Sequence, residues 1–397
     1  MAIKFYTTLS YKLFCKKVQK HQRKIEVGID TVPLGTIVNE HDSGFGVFTS
    51  DGEFVESSRQ LRGKRSQFIP NKPTKNVPYV DKEVVYFGNV YPHFGHFLLE
   101  HMNRAWVLEN KRYQDMPIVL INNYDLKDVP EYIYSLLDLL GVKKENIIIL
   151  NENTRFKSVH IPHQAFDIPI FYADEFTKPF ETMAKRATGK DYDKIYVSRA
   201  KLACGKTFGE EAIQKIFELN GFHIIYPETL PLGEQISFMK NCRVLAGCAG
   251  TALHLSLFMP KGGTVIQIKR NRENKDNFDV QNLINSAKKM ESFYISGSVE
   301  KVRSQHSTEM PQIIGLTKYM RAFFEDNNFI YNPELNIPSD KVWQQYTIAM
   351  QDFKSRRGVP VIYKIKNLLV KLLACFVPGR ENRSRFRKYM KRLLGLS

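Results

Sequence analysis

The sequence has no C-x-x-C pair. Its five cysteines, Cys15, Cys204, Cys242, Cys248 and Cys375, are odd in number and scattered. That argues against both a disulfide framework and a zinc knuckle. They read as reduced thiols, and Cys248, beside a glycine turn but with no base partnered to it, reads as a packing residue. No apolar run approaches the roughly 20 residues that a membrane-spanning helix needs. Ile147–Leu150 is short, and Leu368–Val377 is interrupted by Lys371. Lys12, Lys16 and Lys17 break up the stretch from Leu9 to Val18, so a signal peptide is not expected. Neither G-x-G-x-x-G nor G-x-x-x-x-G-K-[ST] occurs, which argues against a dinucleotide dehydrogenase and a P-loop NTPase. Acids are missing before Glu26, and Glu381 is the one acid in the strongly basic last stretch.

What is present is a globular chain. Its 397 residues with 43% hydrophobic content are enough for two ordinary domains. The net charge of +17 informs about partners rather than fold. Much of it sits at the ends: Lys4, Lys12, Lys16, Lys17, Lys20, Arg23 and Lys24 in the opening segment, and a cluster running from Lys364 to Arg392 in the last. Between the C-terminal charges, Ile362, Ile365, Leu368, Leu369, Leu372, Leu373 and Phe376 recur every three to four residues. This is the pattern of a basic amphipathic helix on an anionic membrane; a solvated tail packing on its own protein is the plainer reading, and nucleic acid the less favoured one. Residence is then expected to be cytoplasmic, peripheral to the inner face of the cell membrane.

Along the chain, residues 1–82 read as a β-rich or irregular segment joined to the first domain, with a hairpin around Asp51-Gly52 and a Pro/Lys-rich loop over Gln67–Tyr79. From Glu83 strands and helices alternate: EVVYFG, a His-bearing helix, PIVLIN, a helix from about Pro130, NIIIL and SVHIP. This defines a Rossmann-like domain over 83–190. A second runs over 191–335: KIYVSR, a helix over about 209–220, HIIYP, a helix from about Leu232, RVLAG, the turn CAGTA leading into a helix, and TVIQI. The predicted fold is α/β, two Rossmann-like domains in a GT-B arrangement with an interdomain cleft, plus basic amphipathic C-terminal helices. Segment 336–357 is a helix crossing back to the first domain, and 358–397 is the membrane-surface tail.

The densest chemistry lies in VVYFGNVYPHFGHFLLEHMNR, Val84–Arg104. In a regular helix His93, His96 and Glu100 share one face. In the second half, Arg199 and Lys201 follow a strand, with Lys206 soon after, where they suit phosphate. The turn Cys248-Ala249-Gly250-Thr251-Ala252 joins a strand to a helix and suits an anion on its backbone N–H groups; a merely tight turn is the plainer reading.

Taken in order, several motifs resemble glycosyltransferase family 61, whose bacterial members take part in capsular and exopolysaccharide biosynthesis. They are H-F-x-H-F-L-L-E at His93–Glu100, Ser198-Arg199, Glu234-Gln235-Ile236 after Leu230-Pro231-Leu232, and the glycine turn Gly247–Leu253 followed by Phe258-Met259-Pro260. The resemblance covers roughly Glu83–Ile268. It implies a GT-B fold, a nucleotide-sugar donor, a glycan or lipid-linked acceptor, and inverting transfer with no obligatory metal or other cofactor. Donor-side positions correspond to Arg199, Glu234 and Gly250 with its neighbours Thr251 and Ala252. The family's histidine before the inner glycine is Ala249 here, with His254 one helical turn on. His96 or Glu100 is then the candidate base, with His93 beside them, and Arg199, Lys201 and the Gly250 turn hold the leaving group. Two rival readings are a metal-dependent hydrolase using the His93/His96/Glu100 face, and a non-catalytic scaffold that binds the sugar nucleotide. The D-x-D at Asp191-Tyr192-Asp193 precedes a strand and reads as a solvated loop.

Overall fold

The computed structural model describes residues 2–40, 44–63, 67–74, 76–202, 205–271, 278–300, 310–356, 369–370 and 372–393. Residues 1–346 form one compact unit and 347–397 a second. Two sheets organise the first unit. One has six strands in the order Ile3–Tyr6, Glu291–Ser296, Thr264–Lys269, Val244–Cys248, Lys194–Val197, His223–Ile225. All its pairings are parallel. Its central strands are runs such as VLAGC and TVIQIK with nearly every residue buried, as expected where helices cover both faces. The strands and helices predicted over 194–269 are found in place, the one after the CAGTA turn as a 3-10 helix, Thr251–Phe258, and a short strand, Thr207–Phe208, is added to them.

The opening residues do not stay with their sequence neighbours. Ile3–Tyr6 adds to the outer edge of this sheet, Ile3 opposite Ser292 and Tyr6 opposite Ile295. The helix Leu9–His21 that follows is capped by Thr8, whose hydroxyl accepts from the Tyr11 N–H at 3.3 Å. Tyr11 and Cys15 are its buried positions, and Lys269 lies 3.7 Å over the Tyr11 ring.

The second sheet has seven strands. Thr154–Pro162, Tyr79–Asn89, Ile118–Ile121 and Ile147–Leu150 lie parallel in that order. On the other edge of Thr154–Pro162, Ile29–Pro33 and Thr36–Glu40 pair antiparallel, and Thr36–Glu40 continues to Gly44–Phe48. The Asp51-Gly52 turn closes as predicted: Thr49 N–H donates to Glu53 O at 2.9 Å, and Phe48 faces Phe54 in an antiparallel bridge. Gly52 sits at φ +80°, the left-handed conformation that favours glycine there. The second limb then turns into Glu56–Ser58, one turn of 3-10 helix.

Between the sheets runs one continuous apolar core. Helix Lys178–Arg186 and the 3-10 turn Asp174–Thr177 before it tie the halves together: Phe176 stacks on Phe166 at 4.3 Å, Phe180 meets Phe176 edge-on at 5.3 Å, and Phe180 meets Phe258 at 5.4 Å. A helix also forms over Asp340–Arg356.

Candidate active site

Strand Tyr79–Asn89 ends in the Tyr91-Pro92 turn, and the chain turns helical at Phe94. The spacing predicts a regular α-helix, and the structure departs from it. Phe94–His96 is one α turn, Phe97–His101 is wound as a π-helix, and Met102–Glu109 tightens to a 3-10 helix. A π turn holds one residue more per turn than an α turn, and such insertions cluster at functional sites. Here the local sequence has few alternatives, because Phe97, Leu98, Leu99 and Met102 are all buried and each must find the core.

His96 and Glu100 remain partners in this winding. His96 Nδ1 and Glu100 Oε1 are in direct contact, and the His93 ring lies 4.9 Å from that of His96. Glu100 is only 6% exposed. Burial alone would raise its carboxyl, but the hydrogen bond from His96 and the charge of Arg62 prevail and hold it below the usual carboxylate range. An ionised Glu100 only accepts, so the shared proton belongs on His96 Nδ1 and Nε2 is left as the basic nitrogen. Partial burial, then the neighbouring His96, lower His93. His101, stacked between Tyr91 at 5.9 Å and Phe97 at 5.7 Å, is pushed by burial down to about 4 and is neutral.

A residue absent from the sequence prediction joins them. Arg62 Nε lies 3.4 Å from Glu100 Oε1, and its Nη2 lies 3.4 and 3.5 Å from the two His96 ring nitrogens. The carrying loop is fixed by fully buried Arg104, which donates to Ser57 O at 2.9 Å, to Arg59 O at 3.3 Å and to Pro162 O. Burial lowers Arg104 to about 10, so it keeps its charge at neutral pH. Gln60 Nε2 donates to Glu100 O at 2.5 Å, Leu61 N–H to Gln164 Oε1 at 2.6 Å, and Gly63 N–H to Asp167 Oδ1 at 2.8 Å.

The second half meets this helix through two glycines. A Cβ on Gly95 would lie 2.5 Å from Thr251 Cγ2, and one on Gly250 would lie 2.7 Å from Arg199 Nη1. The His-bearing turn therefore touches the glycine turn directly, and the glycine turn makes room for the strand-end arginine. Beside this contact opens a cleft of about 370 Å³, lined by Phe94 and Tyr132 from the first half and by Ser198, Arg199, Gln235 and Thr251 among others from the second. Ala252 also lines it; His93, His96, Glu100, Glu234, Gly250, Lys201 and Lys206 do not. Arg199 Nε is buried without a hydrogen-bond partner. The end of its strand is held by Glu210, whose Oε1 accepts from Arg199 N–H and from the Tyr196 hydroxyl, both at 3.2 Å. Burial pushes Glu210 up to about 7.

Arg270 was not anticipated either. It follows strand Thr264–Lys269, on the opposite side of Val244–Cys248 from Arg199. Its Nε donates to Ala249 O at 2.8 Å and Nη1 to Gly205 O at 3.3 Å. Two strand-end arginines thus flank the glycine turn. The Arg270 signal was available in TVIQIKR, where a basic residue ends a buried strand as Arg199 does.

Other predicted residues lie elsewhere. Lys201 and Lys206 are exposed, their ammonium groups 4.0 Å over Tyr226 and 5.4 Å over Phe208. Glu234 is exposed in the first turn of Leu232–Met239, and its neighbour Gln235 faces the cleft, donating to Pro227 O at 2.8 Å and Leu230 O at 2.9 Å. His254 is buried behind the pair His93 and His96, to which it is electrostatically coupled: its Nδ1 lies 3.0 Å from Gln281 Oε1, Gln281 Nε2 donates to Ser256 and Asn285, and burial lowers the His254 ring to about 4. Cys248 is fully buried and its thiol is pushed far up by burial, so it is not a nucleophile. Cys204 lies outside the described residues. Asp191 pairs with Asn241 and Asp193 with Arg243. Among the described residues no three His, Cys, Asp or Glu side chains are grouped to hold a metal ion.

Against known families, residues 94–266 match the family model described as Glycosyltransferase 61. The matched segment begins at Phe94 and takes in His96, Glu100, Arg199 and the glycine turn, and it leaves out Arg62 and Arg270. No curated protein matches the chain significantly.

Proposed function

This chain carries a glycosyltransferase family 61 domain and is a glycosyltransferase, and we propose that it works by inversion, moving a sugar from a nucleotide-sugar donor to a glycan or lipid-linked acceptor in cell-surface polysaccharide biosynthesis. The observation that carries this reading is the contact of the two halves, Gly95 on Thr251 and Gly250 on Arg199. It sets a histidine–carboxylate pair beside a cleft that also presents an arginine without a hydrogen-bond partner on its Nε. The two sheets with this cleft between them are the basis for reading the unit as a GT-B arrangement, the His-bearing half on the acceptor side.

In this reading His96 Nε2 takes the proton of the acceptor hydroxyl as that oxygen attacks the anomeric carbon, and Glu100 stabilises the imidazolium. The bond from the anomeric carbon to the diphosphate oxygen breaks on the opposite face, so configuration inverts. Arg199 and Arg270 with the backbone of the Gly250 turn take up the charge of the departing nucleoside diphosphate. Such cations do the work often given to a divalent metal, and transfer is expected to continue in the presence of a chelator; its abolition, restored by added metal, would favour the hydrolase-type metal site instead.

The test has two parts. A thermal-shift screen against UDP-, GDP-, CMP- and TDP-linked sugars identifies the donor class, since a ligand bound by the folded state raises apparent stability. A His96→Ala, Glu100→Ala double variant is then expected to lose transfer while keeping the donor-induced shift. Wild-type transfer by that variant would remove the base assignment.

The same proposal puts the enzyme at the cytoplasmic face of an anionic membrane. Leu369, Leu372, Leu373 and Phe376 are exposed, and helix Arg380–Leu393 carries the sequence RENRSRFRKYMKRL. The remainder of the apolar stripe, Ile362, Ile365 and Leu368, lies outside the described residues. Among the described residues no helix is long and apolar enough to cross a membrane. Co-sedimentation with phosphatidylserine vesicles, lost in 0.5 M salt or on changing those four residues to Ser, is the measurement that checks it.

A further inference from the structure

We propose that Arg62 is a positioning residue for sugar transfer, a fixed cation that locks the Glu100–His96 pair into the one arrangement in which His96 serves as base. This rests on the reading of His96 given above and extends it to a residue outside the matched segment.

In the seven residues Ser57–Gly63, five backbone or side-chain groups are tied down by residues distant in sequence. The carbonyls of Ser57 and Arg59 receive the Arg104 guanidinium, the Gln60 amide reaches Glu100 O, and the N–H groups of Leu61 and Gly63 reach Gln164 and Asp167. Burying an uncompensated guanidinium is costly, and Arg104 meets carbonyls and no carboxylate among the described residues. The side chain this rigid loop delivers to the site is Arg62, which reaches Glu100 Oε1 and both ring nitrogens of His96.

The position of the guanidinium decides its role. Nη2 is nearly equidistant from Nδ1 and Nε2, so it does not cap one lone pair; it places positive charge against the ring as a whole. A cation there opposes a second proton on His96 and favours the ionised form of Glu100. Other groups facing His96 are the His93 ring at 4.9 Å, the Tyr91 ring at 5.2 Å, and neutral His101 and His254. Arg62 is thus the fixed positive charge that balances Glu100 around this ring. Without it the carboxylate acts alone, and a histidine beside an unopposed carboxylate holds its proton to higher pH.

The test uses the full chain with Arg62→Gln and Arg62→Lys. One readout needs no turnover: imidazole 15N shifts of His96 followed against pH. The other is the pH profile of kcat and of kcat/KM for donor and acceptor. In Arg62→Gln the His96 titration and the acidic limb of kcat are expected to move together to higher pH, with kcat at neutral pH down about ten-fold or more and donor KM little changed. Arg62→Lys, which keeps the charge and loses the two-point contact, is expected to hold the limb near its original place while recovering only part of kcat. If Arg62→Gln lowers stability too far to titrate, the same readings on Arg62→Lys decide, with an unaltered kcat overturning the proposal. An unmoved His96 titration in Arg62→Gln, or a loss confined to donor KM, also overturns it. Should His96→Ala still transfer sugar, the base reading itself fails and the proposal with it. If His96→Ala is inactive and Arg62→Gln behaves as wild type, only the Arg62 proposal falls.

Discussion

Glu210 shows how a single acceptor atom holds a site in place. Its Oε1 receives two donors, the Arg199 N–H and the Tyr196 hydroxyl, and both Glu210 and Tyr196 are fully buried. A glutamine offers the same oxygen, so Glu210→Gln is expected to keep both stability and donor binding. Glu210→Ala removes the acceptor of both, leaving the buried Tyr196 hydroxyl with Cys248 Sγ at 4.0 Å and the part-buried Arg199 N–H without this carboxylate, and a buried donor deprived of its acceptor costs about 1–3 kcal/mol. Its unfolding midpoint should fall, and donor KM should rise as the strand end loosens. Arg199→Ala is the direct counterpart, because deleting a charge-assisted contact to phosphate is worth about 1.5–3 kcal/mol. Donor affinity measured by calorimetry should drop by about ten- to a hundred-fold, with no matching loss of thermal stability, since Arg199 Nε has no hydrogen-bond partner to lose.

At the level of elements, the close approach of the His-bearing turn to the glycine turn predicts a specific rescue. Gly95→Ala drives a methyl to within 2.5 Å of Thr251 Cγ2. Overpacking of this kind costs about 1–3 kcal/mol, and the strain falls on the juxtaposition of His96 with the cleft. Transfer rate should therefore suffer more than folding, and Gly95→Ala with Thr251→Ser, which removes the opposing methyl, should recover much of it. Runs such as PIVLIN, NIIIL, RVLAG and TVIQI announce their strands because parallel strands buried on both faces need unbroken apolar residues, and Gly221 marks a helix end by lacking a Cβ. The π turn at Phe97–His101 was not legible: i, i+3 and i+4 spacing fits a regular helix equally well, and the winding is settled by what the buried side chains meet. Arg62 was not legible either, since its loop has no periodicity and takes its shape from Arg104, Gln164 and Asp167 far along the chain. Conversely, Lys201 and Lys206 looked like phosphate ligands by proximity to Arg199, yet each lies over an aromatic ring.

For the whole molecule, two buried histidines set a pH dependence. His101 and His254 are both lowered to about 4, in each case first by burial. In the unfolded chain a histidine takes its proton near 6.5. Above that pH neither state binds the proton and the full stability is present. As pH falls from about 6.5 towards about 4 the unfolded state takes up protons that the folded state refuses, so stability declines across that window. Thermal midpoints recorded at pH 7, 5.5 and 4.5 should fall steadily, and His254→Gln, having no ring to protonate, should show the shallower slope.

The edge strand Ile3–Tyr6 carries a consequence of another kind. Its partners Ser292–Ile295 lie so far along the chain that Thr7 and Ser296, whose hydroxyls meet beside it, are 289 residues apart. During synthesis the ribosome must deliver nearly the entire first unit before this strand has anything to pair with. Until then IKFY and the lysine-rich helix behind it are exposed as an unpaired strand and an unburied amphipathic face, the conditions under which nascent chains recruit chaperones or aggregate. Pairing of this edge strand is a long-range event that waits for residues 292–295, so protection of the Ile3–Tyr6 amides reports when that partner strand is in place.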